Sequence, residues 1–144
     1  MRRRRLFINS RYNSFKKTIS VDSDKSISIR TILLGSQAYG KTNIKNILLS
    51  EDIINSIKCL KKLGIKILLK KKDCYIYGKG LNGFKYKKNI VLNAGNSGTF
   101  ARLILGLLVK TPYYIKLIGD KSLSQRDFER VITPLRKVGA NFKV

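Results

Sequence analysis

The chain has 144 residues, 43% of them hydrophobic, so it can bury one core of ordinary domain size and is neither disordered nor collagen-like in composition. With 31 Lys and Arg against 8 Asp and Glu, the formal net charge is +23, which favours anionic partners. A coding sequence rich in A and T would also produce this abundance of Lys, Ile and Asn. The longest apolar run, residues 103–109, is far shorter than the ~20 residues that span a bilayer, so no membrane segment is predicted.

The first 16 residues form a basic segment without any acidic residue. Such a segment is typical of an organelle transit peptide, a nucleic-acid-binding arm or a basic first strand, and the sequence leaves all three open. The two cysteines, Cys59 and Cys74, have no histidine to accompany them, so the chain lacks the residues for a zinc site or a Cys–His nucleophile. We therefore expect no metal and a reduced, cytoplasmic location, with organelle import as the open alternative.

The first predicted helix occupies residues 26–40, where apolar side chains recur on one helical face. Ser26 is expected to open this helix and Gly40 to end it. Residues 42–49 then alternate between polar and apolar side chains, which predicts a strand.

The second predicted helix begins after Ser50, which serves as its cap, and carries Glu51 and Asp52 in its first turn. Negative charge there stabilises the positive end of the helix dipole. Gly64 is expected to end this helix. Two strands follow and are expected to form a hairpin that turns near 71–73; they occupy residues 65–71 and 74–80.

After residue 88 the same order of elements begins again. It comprises a strand at 90–94, a polar loop, a helix from Ser97, a strand at 113–119 and a helix from about Asp127. The segments 51–67 and 126–142 also superimpose at an offset of 75 residues, and both end in Leu, two basic residues, an aliphatic residue and Gly. This similarity predicts two copies of one supersecondary unit, at about 17–83 and 84–144, the second incomplete. The chain is thus expected to be a piece of a longer protein and to expose an apolar face.

Three polar clusters lie where a predicted strand is followed by a helix, at residues 22–28, 93–99 and 119–126. Unpaired backbone N–H groups and the positive end of a helix converge at such positions, so they favour anionic ligands. A lone Gly-rich loop without the Gly-Lys-Ser/Thr ending of the P-loop is a weak signal.

In the first cluster, Lys25, Ser26 and Arg30 can present an ammonium, a hydroxyl and a guanidinium on one helix face. A point charge combined with a bidentate fork suits an acid that bears both phosphate and carboxylate. A solvated basic face with a serine cap is the alternative.

In the second cluster, Gly98 allows close backbone approach, and Asn96 and Thr99 supply polar side chains at the start of a helix. In the third, Arg126 precedes a helix and is either a ligand contact or an ordinary surface arginine. The sequence contains no Ser-His-Asp triad, metal cluster or paired-carboxylate pattern, so no general acid or base is assigned.

Taken together, these motifs resemble one known family. Lys-Ser-x-Ser-x-Arg at 25–30, Asn-Ala-Gly-Asn-Ser-Gly-Thr at 93–99 and Gly-Asp-Lys-Ser-Leu-Ser-Gln-Arg at 119–126 are similar, in order, to the N-terminal part of the 5-enolpyruvylshikimate-3-phosphate synthases, and the similarity runs from about residue 17 to residue 144. The resemblance implies an α/β (α+β) fold of repeated βαβαββ units, about two of the six being present here. Residues 17–144 would then be a partial N-terminal domain.

The resemblance also implies an activity without a cofactor. Members transfer the enolpyruvyl group of phosphoenolpyruvate to the 5-hydroxyl of shikimate 3-phosphate, release phosphate, and serve the shikimate pathway to chorismate and aromatic amino acids. The contacts to shikimate 3-phosphate would be Lys25, Ser26 and Arg30. The contacts to phosphoenolpyruvate would be Lys25, Gly98 and Arg126, with Asn96 and Thr99 in the same loop.

The chain departs from the family at Leu103 and Asp127, where proline is usual, and the change at Leu103 predicts altered sensitivity to glyphosate. The family's acid and base carboxylates lie in later parts of the fold. This chain alone is therefore expected not to turn over. It is either an N-terminal fragment of such an enzyme or one half of a split version, in which a separate chain would carry the missing domain.

Three alternatives remain open: the related transferase that acts on UDP-N-acetylglucosamine, an inactive remnant, and a basic RNA-binding module. The RNA-binding alternative requires aromatic and basic residues interleaved on one exposed surface. The tyrosines at 75, 77, 113 and 114 lie in predicted strands, where core or sheet packing is expected, so neither nucleic acid nor a membrane is an expected partner.

Overall fold

The computed structural model describes residues 22–143, which contain five strands and five helices. Predictions for the basic segment 1–16 and for a first strand lie outside these residues. The elements in chain order are α1 (Lys25–Gln37), β1 (Tyr39–Ile44), α2 (Glu51–Lys62), β2 (Lys66–Lys70), β3 (Asp73–Lys79), β4 (Ile90–Asn93), α3 (Gly98–Leu107), β5 (Ile115–Ile118), α4 (Lys121–Ser124) and α5 (Glu129–Lys137). The predicted α/β class is confirmed.

Two sheets organise the described chain. One is antiparallel in the order β1-β3-β2, and the other is a parallel pair of β4 and β5. Helix α1 packs against β3 and also contacts α2 and α3, while α2 contacts β4. Helix α2 also contacts β2, so it is the helix that touches both sheets, while α1 packs on the three-stranded sheet and against α2 and α3. The division into two repeat units stays a prediction.

Helix α1 begins one residue earlier than predicted, because Asp24 and not Ser26 is its cap. The Asp24 side chain accepts a hydrogen bond from the backbone N–H of Ile27 at 2.6 Å. The helix ends at Gln37, before Gly40, which has a φ of 83° and lies within β1. The predicted strand at 42–49 was placed too late, because β1 pairs with β3 from residue 39 to residue 44.

Helix α2 has the predicted bounds, but Ser50 makes no capping hydrogen bond through its side chain. The helix ends as expected at Gly64, whose φ of 84° is unfavourable for residues with a Cβ. The N–H of Ile65 donates to the carbonyl of Leu60 at 3.0 Å, which closes the end of the helix. The predicted hairpin is confirmed as the antiparallel pair β2 and β3.

The second half differs from its prediction in two places. Strand β5 begins at Ile115, so Tyr113 and Tyr114 precede it and are exposed. A short helix, α4, separates β5 from α5, which begins at Glu129 and not at Asp127. The carboxylate of Asp127 instead accepts from the N–H of Glu129 at 2.7 Å and so satisfies a donor at the start of α5.

The core is one continuous cluster formed by the inner sides of α1, α2, α3 and both sheets. Its largest fully buried side chain is Phe100 on α3. Cys59 and Cys74 are buried free thiols, and burial raises the pKa of each to about 11 from the ordinary 9.0. Their contribution is therefore packing, because the reactive thiolate is disfavoured.

An open groove of about 950 Å³ lies beside the core between α3, β5, α5 and residues 139–143. Apolar side chains such as Leu105, Leu108 and Ile132 line much of it. Within residues 22–143, no helix is both long and apolar enough to cross a membrane.

Candidate functional site

The second and third polar clusters lie side by side in the structure. Because β4 and β5 are parallel neighbours, their carboxyl ends meet at one sheet edge. The N–H of Ala94 donates to the carbonyl of Ile118 at 2.8 Å, and the N–H of Asp120 donates to the carbonyl of Gly95 at 2.9 Å. These two bonds extend the pairing beyond the strands and hold the two loops together. We call this junction the strand-end junction, residues 93–99 and 119–126.

Asn96 connects the two loops through its side-chain amide. Its Nδ2 donates to Oδ2 of Asp120 at 2.6 Å, and its Oδ1 accepts from Nη2 of Arg126 at 2.9 Å. The amide group thus joins an anion to a cation and fixes the direction of the Arg126 guanidinium. Since Arg126 is exposed, the guanidinium donors that Asn96 does not engage are available to an anion.

Gly98, the first residue of α3, is buried directly beneath this guanidinium. A Cβ at Gly98 would lie 2.5 Å from Nη1 of Arg126 and 3.3 Å from Nη1 of Arg102. Arg102 is itself held by the carbonyl of Asp127, to which its Nη2 donates at 2.9 Å. A side chain at 98 would therefore displace the Arg126 guanidinium from the start of the helix.

Two further predicted residues lie at the same helix start. Ser97 is the cap of α3 and accepts from the N–H of Phe100 at 3.4 Å, as expected for a helix that begins there. Thr99 is half-buried in the first turn of α3. The N–H groups of Gly98, Phe100 and Ala101 are already hydrogen-bonded to Asn96 and Ser97, which leaves that of Thr99 available. The Thr99 N–H, the positive helix end and the Arg126 guanidinium together make the junction favourable for an anion.

The first polar cluster lies at the start of α1, where Lys25 forms an ion pair with a residue of α2. Its Nζ lies 2.9 Å from Oδ2 of Asp52, and the Lys25 side chain is 53% exposed whereas that of Asp52 is 15% exposed. Arg30, one turn along α1, donates from Nη1 to the carbonyl of Ser26 at 3.1 Å. Arg30 therefore lies beside Ser26, and that Lys25, Ser26 and Arg30 act on one ligand stays a prediction.

The first turn of α2 links this cluster to the strand-end junction. Asp52 pairs with Lys25, and Asn55, three residues further along the same helix face, lies against the backbone of Gly95. Among residues 22–143, no hydrogen bond or ion pair joins Lys25 or Arg30 directly to Asn96 or Arg126. The start of α2 thus lies between the first cluster and the strand-end junction.

Three residues of this arrangement were not predicted as site residues. Asp52 was identified as a partner of the helix dipole, and its pairing with Lys25 depends on how α1 packs against α2. Asn55 has no local signal, since its neighbour Gly95 is 40 positions away. Asp120 could have been found, because an aspartate after a strand and before a helix is typical of a cap. Its carboxylate accepts from the N–H of Leu123 at 2.7 Å.

The pKa of the Asp120 carboxyl is lowered below its ordinary 3.8, first by the hydrogen bond from the backbone of Leu123 and next by that from Asn96. A lowered pKa in the folded state means that the carboxylate stabilises the fold above its unfolded pKa and that this contribution is lost as the pH falls through the folded pKa. We expect carbon-13 NMR of the Asp120 carboxyl to give a titration midpoint below 3.8.

The Asn96→Ala variant provides the matched comparison for this titration. It removes one of the two main hydrogen bonds and keeps the other, so the midpoint should rise part of the way towards the ordinary value. A midpoint that is the same in both proteins would show that Asn96 does not donate to Asp120 in solution.

Metal chemistry has no visible support in the described part of the chain. Residues 22–143 contain no group of three or more His, Cys, Asp or Glu side chains placed to hold an ion. The chemistry that the arrangement can perform is the binding and orientation of anions through Lys25, Arg30, Arg126 and the backbone at Gly98.

A family model and individual relatives that are similar to this chain carry the same description. A family model described as EPSP synthase (3-phosphoshikimate 1-carboxyvinyltransferase) matches residues 10–144. The 3-phosphoshikimate 1-carboxyvinyltransferase of Syntrophomonas wolfei subsp. wolfei is 46% identical over 136 residues, which are 94% of this chain and 32% of that protein. The protein of the same name from Bacillus cytotoxicus is 46% identical over 123 residues, which are 85% of this chain and 29% of that protein.

Solved structures agree with these relatives. Two structures of EPSP synthase from Acinetobacter baumannii superimpose with TM-scores of 0.81 and 0.79, at 35% and 36% sequence identity. They cover 88% and 89% of this chain but only 28% and 29% of their own chains. The chain therefore spans roughly a third of the length of the relatives it matches. With a family model matched over 135 of its residues and the fold shared with solved members, the chain belongs to the EPSP synthase family.

Proposed function

We propose that this chain forms part of the substrate-binding surface of a carboxyvinyltransferase. The enzyme would transfer the enolpyruvyl group of phosphoenolpyruvate to the 5-hydroxyl of shikimate 3-phosphate and release phosphate, in aromatic amino acid biosynthesis. The observation that carries this proposal is the strand-end junction, where Asn96 directs the Arg126 guanidinium over the backbone of Gly98 in a member of the EPSP synthase family.

Phosphoenolpyruvate is assigned to this junction because it carries two anionic groups. The Arg126 guanidinium offers donors to one of them, and the start of α3 offers the backbone N–H of Thr99 and the positive helix end. Asn96 has its oxygen and at least one amide hydrogen engaged by Arg126 and Asp120. We therefore assign Asn96 the role of orienting Arg126, with direct contact to the ligand as a lesser contribution.

Shikimate 3-phosphate is assigned to Lys25, Ser26 and Arg30. These residues lie in the first two turns of α1, where the helix dipole also favours an anion. Lys25 is half-exposed, so its ammonium can contact a ligand phosphate while Asp52 holds it from the other side. Lys25 also lies beside the part of α2 that contacts Gly95 in the strand-end junction. We therefore assign Lys25 to both substrates.

Turnover is proposed to need residues beyond this chain. The relatives are about three times as long, and the resemblance assigns proton transfer to carboxylates in their later parts. A segment or a separate chain that supplies those parts would complete the site and exclude water from it. We propose the cytoplasm as the location, where both anionic substrates are soluble.

Calorimetric titration with shikimate 3-phosphate tests the assignment of the first cluster. The double variant Lys25→Ala with Arg30→Ala is expected to bind at least about tenfold more weakly than the wild-type chain, because each charge-assisted hydrogen bond contributes about 1.5–3 kcal/mol. The titration is made at low and at near-physiological salt, since salt weakens general attraction to a chain of charge +23 far more than it weakens a built contact.

The matched control removes two other positive charges, with Lys58→Ala and Arg130→Ala on the exposed surfaces of α2 and α5. This control should bind as the wild type does. Equal binding by all three proteins, or binding that disappears entirely at the higher salt, would contradict the assignment of Lys25 and Arg30.

A further inference from the structure

The outer face of the three-stranded sheet carries tyrosines and lysines side by side. We call this surface the Tyr–Lys face, composed of Tyr75 and Tyr77 on the central strand β3 and their basic neighbours Lys41, Lys66, Lys70 and Lys79. The alternating residues Cys74 and Ile76 point inward and are fully buried. Tyr75 and Tyr77 therefore lie on the opposite side, away from the core.

The two tyrosine rings are reached by cations from both flanking strands. The Nζ of Lys41 on β1 lies 4.6 Å from the centre of the Tyr75 ring, and the Nζ of Lys66 on β2 lies 5.0 Å from that of Tyr77. A ring face within reach of an exposed ammonium is not packed against the core. Because Tyr75 and Tyr77 are two residues apart on one strand, their rings are separated by about 6.6–6.8 Å along the sheet.

The charged side chains on this face are mostly positive. Four lysines surround the two tyrosines, and in the described residues the register places one carboxylate on the same face, that of Asp73 at the start of β3. This carboxylate accepts from the backbone N–H of Asn46 at 3.4 Å and lies at the end of the strand beyond Tyr75. The register also places Leu68, 47% exposed, opposite Tyr75, and Tyr39, 87% exposed, opposite Lys79. The face therefore combines aromatic and apolar side chains with the four lysines around them.

We propose that the Tyr–Lys face binds single-stranded nucleic acid. Bases stack on Tyr75 and Tyr77 while Lys41, Lys66 and their neighbours move from the rings to the phosphates. A sheet that presents aromatic rings with basic residues around them is the arrangement by which several nucleic-acid-binding domains hold two or three unpaired bases. A membrane surface would require a larger apolar area, and an acidic protein would make no use of the ring faces.

This inference goes beyond the transferase activity and uses none of the residues assigned to its substrates. Nucleic-acid binding requires aromatic and basic side chains interleaved on one surface. Tyr75 and Tyr77 were expected to serve core or sheet packing; they lie on the outer side of the sheet, where their contacts are with lysines of the neighbouring strands.

Fluorescence anisotropy with labelled oligouridine and oligothymidine of about twelve nucleotides tests the proposal. The Tyr75→Val, Tyr77→Val double variant keeps the net charge and the β-propensity of β3 but removes both ring faces. We expect at least about tenfold weaker binding of the oligonucleotides by this variant, with equal binding of heparin, a polyanion without bases. The two oligonucleotides distinguish RNA from DNA as the preferred strand, and a preference for either supports the proposal.

Two controls keep the outcome interpretable. Tyr114→Val removes an exposed tyrosine that lies outside the Tyr–Lys face and should leave binding unchanged. Titration of the double variant with shikimate 3-phosphate should match the wild type, which shows that the fold is intact and separates this test from that of the transferase site. Oligonucleotide binding that is unaffected in the double variant, or a parallel loss of heparin or anionic-vesicle binding, would overturn the proposal in favour of general charge attraction.

Discussion

Gly98→Ala is expected to weaken phosphoenolpyruvate binding by about 10- to 100-fold while the chain stays folded. The added methyl group would lie 2.5 Å from Nη1 of Arg126, so the guanidinium must leave its place above the start of α3. Movement of Arg126 also breaks its hydrogen bond with Asn96, which is the contact that directs it. The effect falls on binding because alanine itself is favourable in a helix.

Gly106→Ala in the same helix is the matched control. No atom lies within 4 Å of a Cβ at Gly106, which is exposed near the end of α3. This variant should gain up to about 1 kcal/mol in free energy of unfolding and bind phosphoenolpyruvate as the wild type does. Calorimetry on both variants provides the measurement, and wild-type affinity in Gly98→Ala would show that the position of Arg126 does not matter to the ligand.

Local sequence patterns predicted the helices, the hairpin and the three polar clusters. They could not decide between neighbouring residues that are equally suited to the same role. Asp24 and Ser26 are both good capping residues, and the choice of Asp24 depends on where the backbone turns into α1. Helix α4 has four residues, too few to produce a hydrophobic period, so the sequence does not predict it.

Strand β3 illustrates a second limit. Its residues Cys74, Tyr75, Ile76 and Tyr77 are all compatible with burial, so alternation alone cannot tell which side faces the core. Packing against α1 decides the question, because small Cys74 and branched Ile76 fit beneath the helix and the larger tyrosine rings do not.

The candidate site shows the same division between local and tertiary information. Each cluster was predicted from its own residues, since caps and glycines act within a few positions. The bridge through α2, with Asp52 on Lys25 and Asn55 on Gly95, joins segments that are 27 and 40 positions apart. Such contacts depend on how the helices pack and leave no periodic or compositional trace in the sequence.

Phe100→Ala is expected to lower the free energy of unfolding by about 3–5 kcal/mol, because it removes the largest fully buried side chain and leaves a cavity in the core. Leu103→Ala in the same helix removes a side chain that is 38% exposed and should cost about 1 kcal/mol or less. Urea unfolding followed by far-ultraviolet circular dichroism measures both. Small domains have about 5–15 kcal/mol in total, so the Phe100 variant should unfold at a clearly lower urea concentration than Leu103→Ala. Equal losses in the two variants would contradict the burial of Phe100 in the core.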